Sequence, residues 1–341
     1  MKIRHKYLSM CLLLALSVTS CGNNTKKIDL FLYDQNDTFI SSLSQNISNS
    51  LDDNYKVTIH DAKKSQAIQN KQIINQLDDN NPDVLVVNAV DRLSSSSIIQ
   101  KANKYQIPVI FFNREPVYND IKPYGNAYYV GTNPIQEGKN QALMADRLMG
   151  SSKNINKNID KNGDNKLQCV FIQGEAGHQD TEKRTWSCIE YLQELGYELE
   201  ILAMDKANWN REKGKTTMAS IYEKYNDTIE FVFSNNDDMA LGAADFIIEN
   251  NLNDVVDGKI VMPFPIVGVD GTEEGLKAIK DGLLYGTTIN DSTNQAKAIV
   301  YLIKLLTKEI TAEEFNKEFN FDEKKEKYIY LSGKIVYQNM K

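Results

Sequence analysis

Cysteine is scarce in this chain. Four occur in 341 residues, one lies within an N-terminal apolar stretch, and Cys169 and Cys188 alone do not make a disulfide framework. Cys169 sits in the apolar run "QCVFI" and Cys188 in the helical-looking "TWSCIEYLQEL", which favours buried free thiols. A long basic run is missing too: a net charge of −7 is interspersed along the chain, which excludes a nucleic-acid footprint. Past the N-terminus no apolar stretch is long enough to cross a membrane. Neither a Gly-rich phosphate loop nor a Ser-His-Asp order is present, and no self-similar period of about 20–50 residues points to a solenoid.

What is present begins with the N-terminus. "MKIRHK" is a basic flank, "YLSMCLLLALSV" an apolar core too short for a mature span, and "VTSC" ends on Cys21 after small residues. This resembles a bacterial lipoprotein signal, which implies cleavage of residues 1–20 and a lipid on the Cys21 thiol; an ordinary signal peptide or a short anchor, with an incidental Cys, is the alternative. The polar "CGNNTKK" (21–27) then reads as a tether.

With 41% apolar and 25% charged residues, the mature chain can bury a large core and divides into about two domains. Short apolar runs alternate with amphipathic segments: "IDLFLY", "YKVTIH", "VLVVN" and "IPVIFF", then, after a pause at 128–167, "QCVFI", "YELEIL", "IEFVFS", "PIVGV" and "LYGTTI". Strand, helix, strand at this spacing predicts two α/β lobes, each a doubly wound parallel sheet. In such sheets ligands sit beyond the carboxyl ends of the strands. Those ends carry "YDQNDTF", "FNREP", "GEAGHQDTEKR", "NNDD", "GVD" and "TTIND". Carboxylates, amides, Arg, His and aromatics suit a neutral polyhydroxyl ligand: polar groups pair with vicinal hydroxyls, while a ring covers the C–H face of a sugar.

One loop stands apart. In "DKNGDNKLQ" Asp160, Asn162, Asp164, Lys166 and Gln168 fall at every second position, as at the start of a calcium loop. Phe171 stands where such a loop ends on a bidentate Glu, and Asn165 where it turns on Gly. Either this is a polar turn, or the last ligand comes from elsewhere.

The motifs "IFFNREP", "AYYVGT", "GEAGH", "NND", "GVD" and "NDSTNQAKA" resemble those of the type I periplasmic binding proteins, and with "GHQDTEKR" and the loop they resemble its galactose/glucose-binding branch. The likeness spans nearly the whole mature chain. It implies two lobes joined by a three-segment hinge, the first from 28–132 plus 291–328 and the second from 133–290 plus 329–341, with crossings near 131–134, 289–293 and 326–330. It implies sugar contacts at Tyr33, Asp37, Phe39, Asn113, Arg114, His178, Asp180, Arg184, Trp209, Asn236, Asp270 and Asn290. Arg114 departs from the Lys of that branch, which alters a bidentate position. The resemblance also completes the loop with Glu230, implying a structural Ca²⁺ held by Asp160, Asn162, Asp164, the Lys166 carbonyl, Gln168 and Glu230; Asn is among the residues that tolerate the left-handed turn.

Each residue has a plainer reading. A lone DxNxD is often a solvated turn, a lone His usually structural, and Trp209 and Phe39 would by default be core aromatics, although "KANWNREK" and "NDTFI" around them are polar. Three function classes follow. The first is a monomeric, lipid-anchored receptor on the outer face of the cell membrane that delivers D-galactose or D-glucose to an ABC permease. The second is a sensor subunit for a chemoreceptor or sensor kinase, and the third a glycoside hydrolase. The amide or guanidinium beside each cleft Asp favours binding over catalysis, and a repressor would need an N-terminal helix-turn-helix that is absent.

Overall fold

The computed structural model describes residues 25–339, so the leader, Cys21 and most of the tether lie outside the described residues. The first lobe opens with β1 (Lys26–Leu32), α1 (Thr38–Ser50), β2 (Tyr55–Asp61), α2 (Gln66–Asp79), β3 (Val84–Val87), α3 (Ser95–Lys104), β4 (Val109–Phe112), the short α4 (Tyr118–Ile121) and β5 (Ala127–Thr132). The second runs through α5 (Pro134–Met149), β6 (Leu167–Gln173), α6 (Gln179–Glu194), β7 (Leu199–Lys206), α7 (Arg211–Tyr225), β8 (Phe231–Ser234) and α8 (Asp237–Glu249). It continues with a hairpin of β9 (Asp254–Val256) and β10 (Lys259–Val261), then β11 (Ile266–Asp270), α9 (Glu273–Asp281) and β12 (Gly286–Ile289). The chain returns to the first lobe for α10 (Ser292–Leu306), α11 (Ala312–Glu318) and β13 (Tyr328–Leu331), and ends in the second with β14 (Lys334–Tyr337).

Strand order is β13-β5-β4-β3-β1-β2 in one sheet and β14-β12-β11-β8-β6-β7 in the other. Pairing is parallel throughout the first sheet; in the second only β14 runs antiparallel, at the edge beside β12. Two lobes, each a mainly parallel sheet flanked by helices, match the expected fold. The central strands are apolar without alternation because helices cover both their faces. In the first lobe α1 and α10 pack Ile40, Leu43, Ile299 and Leu302 on one face, while α2 and α3 pack Ile73, Leu77, Ile98 and Ile99 on the other. The second lobe repeats the scheme with Met239, Ala243 and Ile247 on one face and Cys188, Ile189 and Leu192 on the other. Cys169 and Cys188 are buried and free.

Two expectations change. The pause at 128–167 contains β5 and the sixteen-residue α5. The helix escapes a search for apolar periodicity because its buried face includes Glu137, Gly138, Asn140 and Gln141. At Gly138 an added Cβ would stand 2.1 Å from Ser187 Oγ and 2.2 Å from the Arg184 carbonyl oxygen, so only glycine lets α5 and α6 approach this closely. The third crossing, expected near 326–330, lies after Leu331, because β13 stays paired with β5 through Leu331 and Thr132. The boundary at 328/329 therefore moves past residue 331. Among the described residues no helix is long and apolar enough to cross a membrane.

Candidate functional site

The carboxyl ends of the strands in both sheets face a cleft of about 320 Å³, counting open solvent at its mouth. It is lined by Tyr33, Asp37, Phe39, Asn113 and Arg114 from the first lobe and by His178, Asp180, Arg184, Trp209, Asn236 and Asp270 from the second. Eleven of the twelve residues singled out in the sequence thus meet in one place, together with Ile40. Asn290, the twelfth, stands behind it: its amide donates to Asp270 Oδ1 at 3.3 Å, and its own oxygen accepts from Gln295.

Three lining residues are helix N-caps. Asp37 Oδ1 accepts from Ile40 N at 2.9 Å, His178 Nδ1 from Asp180 N at 3.1 Å, and Asn236 Oδ1 from Met239 N at 3.0 Å. The amino ends of α1, α6 and α8 therefore point at the cleft and favour oxygen-rich groups there. Because His178 Nδ1 is an acceptor, its proton sits on Nε2, which is left as a donor. Burial, with the cations of Arg114, Arg184 and Arg92, pushes this imidazole well below its usual range, so it is neutral.

Arg184 spans the floor. Its Nε donates to Glu137 Oε2 at 2.6 Å, one terminal nitrogen to the Asn235 carbonyl at 2.8 Å, and the other to Asp180 Oδ2 at 3.3 Å. Burial pushes Asp180 up to about 7, against the pull of Arg184. Burial likewise raises Asp37, and it raises Asp270 well above the carboxylate range. These carboxyls are costly to keep charged when dry, and a ligand that donates hydroxyl protons to them offsets that cost.

Tyr33 donates its hydroxyl to Asp37 Oδ2 at 2.6 Å. Arg114 donates to the Val90 carbonyl and to Glu175 Oε2, each at 2.6 Å. Among the described residues its Nε is buried without a partner, as is the indole N–H of Trp209. Trp209 meets His178 edge to face, with ring centroids 5.0 Å apart. The close passage of Gly174 makes room for it: a Cβ there would lie 2.1 Å from the indole ring.

Sequence inspection missed the residues that hold these in place. Glu137, fully buried on α5, fixes Arg184. Asn88 ties the ends of three strands, accepting from Tyr33 N at 3.3 Å and donating to the Phe112 carbonyl at 3.2 Å and to Asn113 Oδ1 at 3.1 Å. In the second lobe Asn235, at the end of β8, joins the end of β6 to α6, accepting from Gly174 N at 3.1 Å and exchanging a bond with Thr185. An Asn directly after the apolar runs "VLVV" and "FVFS" is the signal that could have found both.

The 160–168 loop folds away from the cleft. Asp160 accepts from the backbone N–H groups of Gly163 and Asn165 at 2.7 and 3.0 Å. Glu230 accepts from those of Lys161 and Gln168 at 2.6 and 3.1 Å. Asp164 accepts from the backbone of Lys166 and the amides of Asn162 and Gln168. Asn165 takes the left-handed turn at φ 63°. Glu230 is raised by burial and, to a lesser extent, by the charges of Asp160 and Asp164. Among the described residues no three His, Cys, Asp or Glu side chains converge on one point. A cation here would therefore rely on amide and carbonyl oxygens as well. The buried Gln168 Oε1, which no donor among the described residues reaches, and the all-oxygen character of the set fit a hard cation such as Ca²⁺.

Residues 28–310 match the family model described as a periplasmic binding protein domain. The chain is 36% identical over 295 residues to the D-galactose/methyl-galactoside binding periplasmic protein MglB of Haemophilus influenzae, covering 85% of this chain and 84% of that protein. It is 27% identical to a xylitol-binding protein of Mycolicibacterium smegmatis, over 86% of this chain and 77% of that one. Among solved structures, an ABC transporter solute binding protein from Bacillus halodurans with bound myo-inositol superposes with a TM-score of 0.72 at 22% identity, covering 93% of this chain and 96% of that one. At that identity the last likeness speaks to the fold alone.

Proposed function

This chain belongs to the periplasmic binding protein family, and on that footing we propose that it receives D-galactose or D-glucose in the interlobe cleft for an ABC importer. It is a sugar-binding protein and not an enzyme. The observation that carries the choice of a hexose is the cleft itself, where carboxylates, amides, a neutral imidazole and two arginines from both lobes surround a space flanked by Phe39 and Trp209. Such a set pairs with hydroxyls all round a ring and offers aromatic surface to its C–H faces. The 36% identical relative, named for D-galactose and methyl-galactoside, supports the same ligand. Calorimetric titration with D-galactose, D-glucose, D-ribose, xylitol and myo-inositol tests it. One-to-one saturation by galactose or glucose is expected; no response to either, alongside tight binding of another member of the panel, overturns the assignment.

Two further features complete the proposal. The 160–168 loop with Glu230 takes a structural Ca²⁺ through Asp160, Asn162, Asp164, the Lys166 carbonyl, Gln168 and Glu230. A cation there neutralises carboxylates that otherwise repel one another. Elemental analysis of the purified protein should find about one calcium per chain, and none after Glu230→Ala. Cys21 carries a lipid that holds the protein at the outer face of the membrane. Cys21→Ser should abolish labelling by a fatty-acid analogue and release the protein from the membrane fraction; persistent labelling would refute the anchor.

A further inference from the structure

The lobes touch asymmetrically round the cleft. On one side three contacts join residues 113–115 of the first lobe to residues 175–183 of the second. Arg114 donates to Glu175 at 2.6 Å, Lys183 to Glu115 Oε2 at 2.9 Å, and the Gln179 amide to the Asn113 carbonyl at 3.2 Å. At the other side stands a hydrogen bond from Thr38 Oγ1 to Asp238 Oδ2, at 2.7 Å. Glu115 is 3% exposed and anchored within its own lobe, its Oε1 accepting from Lys325 and Tyr330. Arg114 is equally fixed by Val90 and by the ring of Tyr33. In the two ion pairs the first-lobe partner, Arg114 or Glu115, is thus anchored and buried, while the second-lobe partner, Glu175 or Lys183, is a partly exposed side chain able to let go; Gln179, in the third contact, is buried.

Arg114 and His178 line the cleft and also an outer chamber formed by Val90, Asp91, Arg92 and Leu93 with the 175–179 turn. The Arg114–Glu175 pair therefore stands between the ligand cavity and this chamber. Neither Glu175 nor Lys183 lines the cavity. We infer that Glu175 and Lys183 form an electrostatic latch that holds the lobes shut and sets the rate at which ligand leaves through the outer chamber. The inference rests on the sugar-binding reading, and it makes both residues positioning residues that govern affinity without touching sugar. Ligand held in the cleft is released only after Arg114–Glu175 and Glu115–Lys183 separate, and opening swings Glu175 and Lys183 into water, where each is well solvated.

The test uses stopped-flow tryptophan fluorescence with D-galactose and D-glucose as probes. Glu175→Gln should release the bound hexose about 3- to 10-fold faster than the parent, the range for a charge-assisted bond partly open to water. Raising the salt from about 0.15 to 1 M should speed release from the parent more than from the Glu175→Gln, Lys183→Gln double variant, since salt screens a half-exposed pair. Lys277→Gln breaks a surface pair with Asp281 inside the second lobe and should leave release unchanged. Equal release rates and equal salt dependence in parent and double variant overturn the latch. Should neither hexose bind, the choice of sugar fails by itself, and small-angle scattering of the sugar-free proteins decides. A larger radius of gyration in the double variant supports the latch, and superimposable profiles overturn it.

Discussion

The guanidinium carbon of Arg114 lies 3.8 Å from the centroid of the Tyr33 ring. The same side chain reaches the Val90 carbonyl and Glu175, so one residue joins a strand end, an aromatic wall and the opposite lobe. A planar fork can do this; an ammonium cannot reproduce it. Arg114→Lys should weaken hexose binding by about 1–2 kcal/mol, combining a lost cation–π contact with lost bonds to Val90 and Glu175. Calorimetry checks it, and an unchanged dissociation constant would show that charge alone matters here.

The Trp209 platform rests on Gly174. Trp209→Ala should cost about 1–3 kcal/mol of binding by removing an aromatic face. Gly174→Ala should cost a similar amount, about 1–3 kcal/mol, by forcing the indole from its seat while leaving every ligand-facing side chain chemically intact. If Gly174→Ala binds normally, the close approach is not what places the ring.

His178 supplies a pH test. Its folded-state value is depressed well below the ordinary 6.5, so the stability it contributes is present above about pH 6.5 and is lost as pH falls below that towards the folded value. His178→Asn keeps an N-cap acceptor but removes the titration. The melting temperature of the variant relative to the parent should therefore rise between pH 7 and pH 5. A constant difference across that window would mean that the imidazole charges freely in the folded protein.

On the proposed Ca²⁺ reading of the 160–168 loop, chelation should lower the melting temperature, because a ligand bound only to the folded state stabilises it by mass action. Hexose affinity should change less, since the loop is remote from the lining residues of the cleft. A melting curve that chelator does not move would reduce 160–168 to a solvated turn.

Much of this molecule is written in local pattern. The runs at 28–33, 84–88, 107–112, 168–172 and 229–234 are apolar without alternation, and a strand covered on both faces demands that composition whatever its neighbours. Polar residues at their ends are conspicuous because nothing about packing requires them, which marks where a ligand would sit; the family resemblance of those motifs then names, residue by residue, eleven that line the cleft. The sequence by itself also bears the alternate oxygens of 160–168, since the spacing of side chains round a turn is set at short range. Tertiary structure alone decided what depends on distant segments. Helix α5 turns Glu137 and Gln141 inward, which reads as a solvated face until Arg184 and the Ser234 carbonyl are seen to meet them. The final crossing depends on whether Leu331 pairs with Thr132, a partnership nearly two hundred residues apart in the chain. Glu175 and Lys183 look like ordinary surface charges, and only the approach of the two lobes brings Arg114 and Glu115 against them. Periodicity reports what a segment buries, whereas the identity of a polar partner is set by the fold, since a charge carries no local mark of the group that will neutralise it.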